Sequence, residues 1–142
     1  MLAQAAGQAL PPLEVVAFRG MVTGIIDLVF EHEGRFYIAD YKSNFLGGQF
    51  GDYERLGLAQ AVYDRRYDLQ SLLYTLALHR YLCQRLRGYD YARHFGGIYY
   101  LFLRGMRPLS GPACGVYFDR PELALMEALD RQIFHPDEVL AP

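Results

Sequence analysis

The sequence predicts an α/β fold in which a mixed β-sheet is flanked by helices. Two observations support this class. Short runs of β-branched and aromatic residues alternate with longer segments of helical periodicity, and glycine or proline separates most of them. The predicted order of elements is β-β-β-α-α-β-β-α. The chain has 142 residues, of which 52% are hydrophobic, which is typical of one compact domain.

The N-terminal residues carry little pattern. Residues 1–12 are small and end in Pro11-Pro12, so they are predicted to be a lead-in or the boundary of an expressed fragment. The core is expected to span 13–142 and to begin with a short strand at 13–19. The sequence has neither an apolar run of about 20 residues nor a secretory leader. A cytoplasmic protein without membrane contact is therefore expected.

A β-hairpin is predicted over residues 24–42. Both flanks are rich in β-branched and aromatic residues, and Glu33-Gly34 supplies a two-residue turn in which the glycine can take a positive φ. With this turn, His32 pairs with Arg35. The register of the whole hairpin follows from that pair.

The register brings two acids and a lysine together. Counting outward from the turn places Asp27 opposite Asp40, and directly opposed residues share a face with Cβ atoms about 5 Å apart. Strand alternation adds Lys42 to the same face, about 7 Å further along. A slip of one residue in one strand would separate these groups.

The rest of the chain predicts a loop, three helices and two strands. Residues 43–52 are rich in glycine and read as a loop, and residues 89–97 as a polar turn. Helices are predicted at 53–66, 67–86 and 121–134, the last opened by Pro121. A strand buried on both faces is predicted at 98–103, and a short edge strand at 116–118.

The second helix and the cysteines carry more specific predictions. Asp68 is expected to be the N-cap of this helix or an acid in its first turn. The apolar stripe of the helix is predicted to consist of Leu69, Leu72, Leu73, Leu76, Ala77 and Cys83. Cys83 and Cys114 are expected to be buried, reduced thiols, since two distant cysteines form no disulfide framework or metal set.

The acid pair and its lysine indicate metal-dependent cleavage of a phosphodiester. Aspartate is depleted in strands, and a carboxylate within an apolar run is costly unless a cation compensates it. Oxygen ligands favour Mg²⁺ or Mn²⁺ over zinc. Lys42 would orient or deprotonate the attacking water, or stabilise charge on the phosphoryl oxygens. The alternative is a surface hairpin in which Asp27, Asp40 and Lys42 are simply solvated.

The charge balance argues against a free-standing DNA binder. The chain has 14 basic and 16 acidic residues, a formal net charge of −2. Tight non-specific binding to DNA usually requires a basic domain, because it depends on neutralising phosphates. A catalytic domain whose substrate is delivered by a larger assembly remains compatible with this balance.

The motifs resemble a known family. Residues 24–31, 39–44, 67–70, 73–82 and 94–97 are similar to the PD-(D/E)XK nuclease superfamily, and within it to the C-terminal nuclease domains of the RecB family, the β subunits of exodeoxyribonuclease V. The resemblance covers most of residues 15–135. It implies a restriction-endonuclease-like core and a Mg²⁺-dependent deoxyribonuclease, with Mn²⁺ or Ca²⁺ as substitute ions. It also implies work with helicase subunits on double-strand breaks.

The resemblance assigns roles to six residues. It implies that Asp27, Asp40 and the Tyr41 carbonyl are metal ligands and that Lys42 is the catalytic lysine. Gln70 and Tyr74, one helical turn apart, become a substrate-contacting or site-supporting pair. From the residues alone, Tyr74 could equally be a core aromatic with Gln70 as its solvated neighbour.

The chain departs from the family in one respect. RecB nuclease domains carry a metal-binding histidine on a helix far upstream of the first aspartate, whereas none of the 26 residues before Asp27 is a histidine. The histidines present are predicted to be surface or helix residues, and they are His32, His79, His94 and His135. The chain is therefore expected to be the C-terminal part of a longer helicase–nuclease subunit, and it has no Walker-type loop for ATP.

The resemblance also implies partners. These are DNA, RecC-like and RecD-like subunits, and a RecA-like recombinase. A second hypothesis is that the chain is catalytically weak and acts as a protein-interaction module. Its last helix and its tyrosines would then make the contacts, since aromatic residues are enriched at interfaces.

Overall fold

The computed structural model describes residues 23–134, and a four-stranded sheet is their central element. The strands are β1 (Leu28–His32), β2 (Arg35–Lys42), β3 (Phe95–Phe102) and β4 (Val116–Asp119), and they lie in the spatial order β1-β2-β3-β4. β2 and β3 are parallel, and the two outer pairs are antiparallel. The sheet is therefore mixed, as predicted. The predicted strand at 13–19 and the lead-in at 1–12 lie outside the described residues.

Helices fill the connection between the two parallel strands and follow the last strand. A parallel pair cannot be joined by a tight turn. The connection contains a short 3-10 helix (Phe50–Tyr53), α1 (Arg55–Asp64), α2 (Tyr67–Arg85) and α3 (Tyr91–His94), and α4 (Leu123–Phe134) follows β4. The described elements agree with a restriction-endonuclease-like α/β core.

The hairpin register is the predicted one. His32 pairs with Arg35 across a two-residue turn. Glu33 and Gly34 both have positive φ, 50° and 75°, as a type I′ turn requires. The backbone ladder ends at Leu28, so β1 begins one residue after Asp27.

The two central strands determine which side chains face the helices. Asp40 lies beside Tyr100, and Lys42 lies beside Phe102. Tyr100 and Phe102 are fully buried, and the ring of Tyr67 from α2 stacks on Tyr100 with centroids 5.5 Å apart. Because side chains alternate along a strand, Asp40 and Lys42 point to the same helix-covered face.

A row of aromatic rings crosses the other face of the sheet. It joins all four strands and consists of Phe30, Tyr37, Tyr99 and Phe118, with neighbouring ring centroids 4.8–5.9 Å apart. A Cβ atom on Gly96 would lie 2.2 Å from the Tyr37 ring, so this row requires glycine there. Residues 95–97 are the first residues of β3. The prediction of a polar turn over 89–97 was therefore wrong for them.

The buried face of α2 differs from the predicted apolar stripe. Its residues recur every three or four positions along the helix and are Asp68, Ser71, Thr75, Leu78 and Leu82. Leu76 is buried and Leu72 packs against the core, as predicted, but Ala77 and Cys83 are exposed, so the prediction was wrong for these two residues. Two of the polar residues on this face have polar partners: Asp68 pairs with Arg66, and the Ser71 hydroxyl donates to Asp119 Oδ2 at 2.9 Å.

The start of α2 agrees with the prediction, because the helix begins at Tyr67 and Asp68 is the acid of its first turn, whereas the start of α4 differs. The N-cap of α2 is Arg66, in the left-handed region at φ 54°, and Asp68 lies in the first turn with its Oδ1 3.3 Å from Arg66 Nε. Helix α4 begins at Leu123 rather than at Pro121. The Pro121 carbonyl instead accepts a hydrogen bond from the hydroxyl of Tyr91 at 2.6 Å, which ties this segment to α3.

Two hydroxyls on the same face of α2 should respond oppositely to removal. Ser71→Ala is expected to lower the free energy of unfolding by about 1–3 kcal/mol, because it strips a partner from the carboxylate of Asp119. Thr75→Val should be neutral or stabilising by about 1 kcal/mol. The Thr75 hydroxyl is buried and has no hydrogen-bond partner among the described residues.

Urea unfolding followed by circular dichroism measures both changes. Equal destabilisation by Ser71→Ala and Thr75→Val would show that helix packing, rather than the hydrogen bond to Asp119, stabilises this face.

Candidate active site

A buried ion pair lies at the C-terminal end of β2. Asp40 and Lys42 are two residues apart on the helix-covered face, and Lys42 Nζ contacts Asp40 Oδ1. The two side chains are only 6% and 10% exposed, respectively. Such a pair is stable only where further contacts satisfy both groups, since each charge has lost most of its water.

The carboxyl of Asp40 is in an unfavourable environment for its charge. Burial raises the pKa of Asp40 above its ordinary value, Lys42 opposes this, and the charge of Asp27 raises the pKa further. Oδ1 of Asp40 is buried. Apart from its contact with Lys42 Nζ, it accepts no hydrogen bond from the described residues. The ammonium of Lys42 is therefore the cation that compensates this carboxylate in the structure.

Two tyrosine rings enclose the ammonium of Lys42. Its Nζ lies 3.9 Å from the ring centroid of Tyr67 and 5.0 Å from that of Tyr100, so both rings contribute cation–π stabilisation. The Tyr67 hydroxyl donates to Asn44 Oδ1 at 3.0 Å, and the Tyr100 hydroxyl donates to the Tyr67 carbonyl at 2.7 Å. Sequence reasoning missed both rings, because the approach of Tyr100 depends on the pairing of β2 with β3 and that of Tyr67 on the packing of α2 against the sheet.

Gln70 and Tyr74 connect the lysine to the start of the hairpin. Lys42 Nζ donates to Gln70 Oε1 at 2.8 Å, and Gln70 Nε2 donates to the Tyr74 hydroxyl at 3.0 Å. That hydroxyl donates in turn to the carbonyl of Ile25 at 2.6 Å. Gln70 thus contacts Lys42 directly, and Tyr74 contacts the site through Gln70. The geometry fits a supporting pair better than a core aromatic with a solvated neighbour.

Asp27 reaches the site differently from the prediction. It is exposed and precedes β1, so the expectation of a carboxylate deep in an apolar strand was wrong for this residue. Its Oδ2 accepts a hydrogen bond from the backbone N–H of Tyr41 at 2.9 Å. The side chain therefore crosses to β2 beside Asp40, at the point where the backbone ladder has ended.

The donor set suits a hard divalent cation. It offers carboxylate oxygens from Asp27 and Asp40, which Mg²⁺ and Mn²⁺ prefer. Within residues 23–134 no group of three or more His, Cys, Asp or Glu side chains could hold a metal ion. A third protein ligand would therefore be a group of another kind, such as a backbone carbonyl, or would come from outside these residues.

The described histidines lie in other environments. His32 is exposed at the hairpin turn, 3.9 Å from Glu33. His79 contacts the Tyr89 hydroxyl through Nδ1 at 3.1 Å, and burial lowers the pKa of His79. His94 contacts the backbone of Asp90. His135 lies outside the described residues.

Over residues 23–134, none of the helices combines the length and the hydropathy needed to cross a bilayer.

Known proteins match this chain over most of its length. RecB subunits of the RecBCD enzyme are similar to it: that of Escherichia coli K12 is 53% identical over 120 residues, and that of Haemophilus influenzae Rd is 52% identical over 118. The subunit of Mycolicibacterium smegmatis is 41% identical over 129 residues. The matches cover 83–84% of this chain but only 10–12% of each relative, so the chain spans about a tenth of their length.

A family-level match includes the whole candidate site. Residues 2–135 match the sequence model of the PD-(D/E)XK nuclease superfamily. This range contains the hairpin with its two aspartates, the lysine two residues after the second aspartate, and the helix that supports that lysine. The chain therefore belongs to the PD-(D/E)XK nuclease superfamily.

Proposed function

We propose that this chain is the catalytic core of a metal-dependent deoxyribonuclease that hydrolyses phosphodiester bonds. The observation that supports this most strongly is the continuous set of contacts from Asp40 through Lys42 and Gln70 to Tyr74. A lysine held by a carboxylate and an amide is pre-organised, so little reorganisation is needed when charge develops on a substrate.

Asp27, Asp40 and the carbonyl of Tyr41 are the proposed metal ligands. The chemistry of the oxygens favours Mg²⁺, with Mn²⁺ or Ca²⁺ as substitutes. A divalent ion bound there would supply positive charge to the phosphoryl oxygens of the substrate and lower the pKa of a bound water. The hydrogen bond from Tyr41 N to Asp27 holds one carboxylate in place for this role.

Lys42 is the proposed catalytic lysine. Its ammonium can donate a hydrogen bond to a phosphoryl oxygen or orient the attacking water. Gln70 occupies one of the donor positions of Nζ, and the rings of Tyr67 and Tyr100 restrict where Nζ can move. Gln70 and Tyr74 thus act as positioning residues.

The biological setting is proposed from the relatives. They are named as RecB subunits of the RecBCD enzyme. We infer that residues 13–142 form the nuclease core of a longer helicase–nuclease subunit of this type. It would work in the cytoplasm in double-strand break repair and recombination, on DNA and with RecC-like and RecD-like subunits. A RecA-like recombinase is a further proposed partner.

A second candidate function is a protein-interaction module with weak catalysis. The observation in its favour is the exposed apolar surface of α4, where Leu123, Leu125, Ile133 and Phe134 are 37–50% exposed. Calorimetry with Mg²⁺ and Ca²⁺ separates the two functions, since only a nuclease site requires the ion. Absence of measurable heat would favour the interaction module.

Removing the charge of Asp40 should abolish most nuclease activity. Asp40→Asn is expected to lower Mg²⁺-dependent degradation of linear DNA by at least about 100-fold, because a ligand charge is lost at the reacting centre. Glu31→Gln, an exposed acid on the same hairpin, is the matched control and should leave the rate unchanged. Equal rates for the wild type and Asp40→Asn would refute the proposed site.

Removing Lys42 should destabilise the fold through Asp40. Lys42→Met is expected to lower the free energy of unfolding in metal-free buffer by about 3 kcal/mol, because it leaves a buried carboxylate uncompensated. Adding Asp40→Asn should recover most of that loss. Urea unfolding of the wild type, both single variants and the double variant gives the coupling energy. A coupling near zero would mean that the ion pair does not stabilise the protein.

The hydroxyl of Tyr74 should affect catalysis more than stability. Tyr74→Phe removes a hydrogen-bond acceptor for Gln70 and should slow DNA cleavage by about 10- to 100-fold, because Lys42 loses part of its positioning. Tyr81→Phe, on the exposed side of the same helix, is the control. An unchanged cleavage rate in Tyr74→Phe would remove Tyr74 from the proposed site.

A further inference from the structure

A cleft opens beside the candidate active site, at the C-terminal ends of the two parallel strands. Its volume is about 360 Å³, and the loops after β2 and β3 line it. The Leu103 N–H donates to the carbonyl of Lys42 at 3.0 Å, and Arg104 Nε donates to that of Ser43 at 2.9 Å. The cleft therefore begins at the residues that follow the proposed catalytic lysine.

The walls of the cleft pair exposed aromatic rings with arginines. The side chains of Phe45 and Phe50 are 68% and 50% exposed, respectively. The guanidinium of Arg104 lies 6.0 Å from the Phe45 ring centroid, and that of Arg107 lies 5.0 Å from the Phe50 ring centroid. The lining includes these two arginines, while a neighbouring carboxylate, that of Asp52, accepts a hydrogen bond from the backbone N–H of the lining residue Gln49 at 2.8 Å.

Tyr53 contacts both loops and holds them in place. Its buried hydroxyl accepts a hydrogen bond from Leu46 N at 3.1 Å, and its carbonyl accepts one from Gly115 N at 2.9 Å. A Cβ atom on Gly105 would lie 2.5 Å from the Tyr53 side chain, so the second loop packs closely on the same residue. The cleft is thus partly pre-organised.

We propose that this cleft binds an unpaired DNA strand and leads it to the active site, an inference that rests on the proposed nuclease function. Unpaired bases can stack on exposed rings, whereas the faces of paired bases are already covered in a duplex. The guanidinium of arginine can form two parallel hydrogen bonds with a phosphate. Because each arginine lies next to one of the two rings, a phosphate contact and a stacking surface are neighbours. The cleft binds the bases through Phe45 and Phe50 and the backbone through Arg104 and Arg107.

Fluorescence anisotropy with a labelled oligothymidylate of about 12 nucleotides tests this inference. Binding to the 142-residue chain is measured in EDTA, which prevents metal-dependent cleavage. Phe45→Ala/Phe50→Ala is expected to weaken binding by at least about 20-fold. The variant Tyr81→Ala/Arg85→Gln is the matched control and should bind as the wild type does, because it removes another exposed ring and arginine, 5.9 Å apart, on α2.

A second measurement uses the arginines. Arg104→Gln/Arg107→Gln should reduce the slope of log Kd against log salt by about 1.4, the value for two phosphate contacts on a single strand. A duplex of the same length should bind more weakly than oligothymidylate and should be insensitive to Phe45→Ala/Phe50→Ala.

The outcomes are distinct. Oligothymidylate binding within twofold of wild type in the phenylalanine variant, or an unchanged salt slope in the arginine variant, would overturn the inference. A duplex bound as tightly as the single strand would do the same. Cleavage of linear DNA by the wild type is measured in parallel with Mg²⁺. Its absence would count against the proposed function, while binding that depends on the phenylalanines would still support the cleft.

Discussion

The buried pair of Asp40 and Lys42 is the constraint on which the rest of the site depends. Both residues lie on a central strand, on the face that helices cover, where little water reaches them. Each charged side chain therefore needs partners within the protein. Lys42 finds them in a carboxylate, an amide and two aromatic rings. Asp40 has the ammonium of Lys42 as its partner, and burial raises the pKa of its carboxyl.

Helix α2 supplies both the partners of that pair and part of the core. Its C-terminal half buries Leu78 and Leu82, while its N-terminal half buries Asp68, Ser71 and Thr75 and directs Gln70 towards Lys42. The interface between helix and sheet is therefore polar at the site and apolar away from it. One element thus stabilises the fold and positions the proposed catalytic lysine.

The proposed site and the neighbouring cleft are two consequences of one topology. Because β2 and β3 are parallel, their C-terminal ends lie at one edge of the sheet, and the loops that follow them meet there. Lys42 ends β2 at this edge, and the aromatic and arginine side chains of the two loops begin beyond it. The cleft therefore lies beyond the end of the strand that carries Lys42.

The sequence by itself determined what depends on neighbours along the chain. The hairpin turn at Glu33-Gly34 set the register that brings Asp27 close to Asp40, and strand alternation placed Lys42 on the Asp40 face. Only the tertiary structure decided which rings enclose Lys42, which face of α2 is buried and how Asp27 reaches the site from an exposed position. Those features depend on the pairing of β2 with β3 and on the packing of α2 against them. Such contacts join residues far apart in sequence, and local patterns do not encode them.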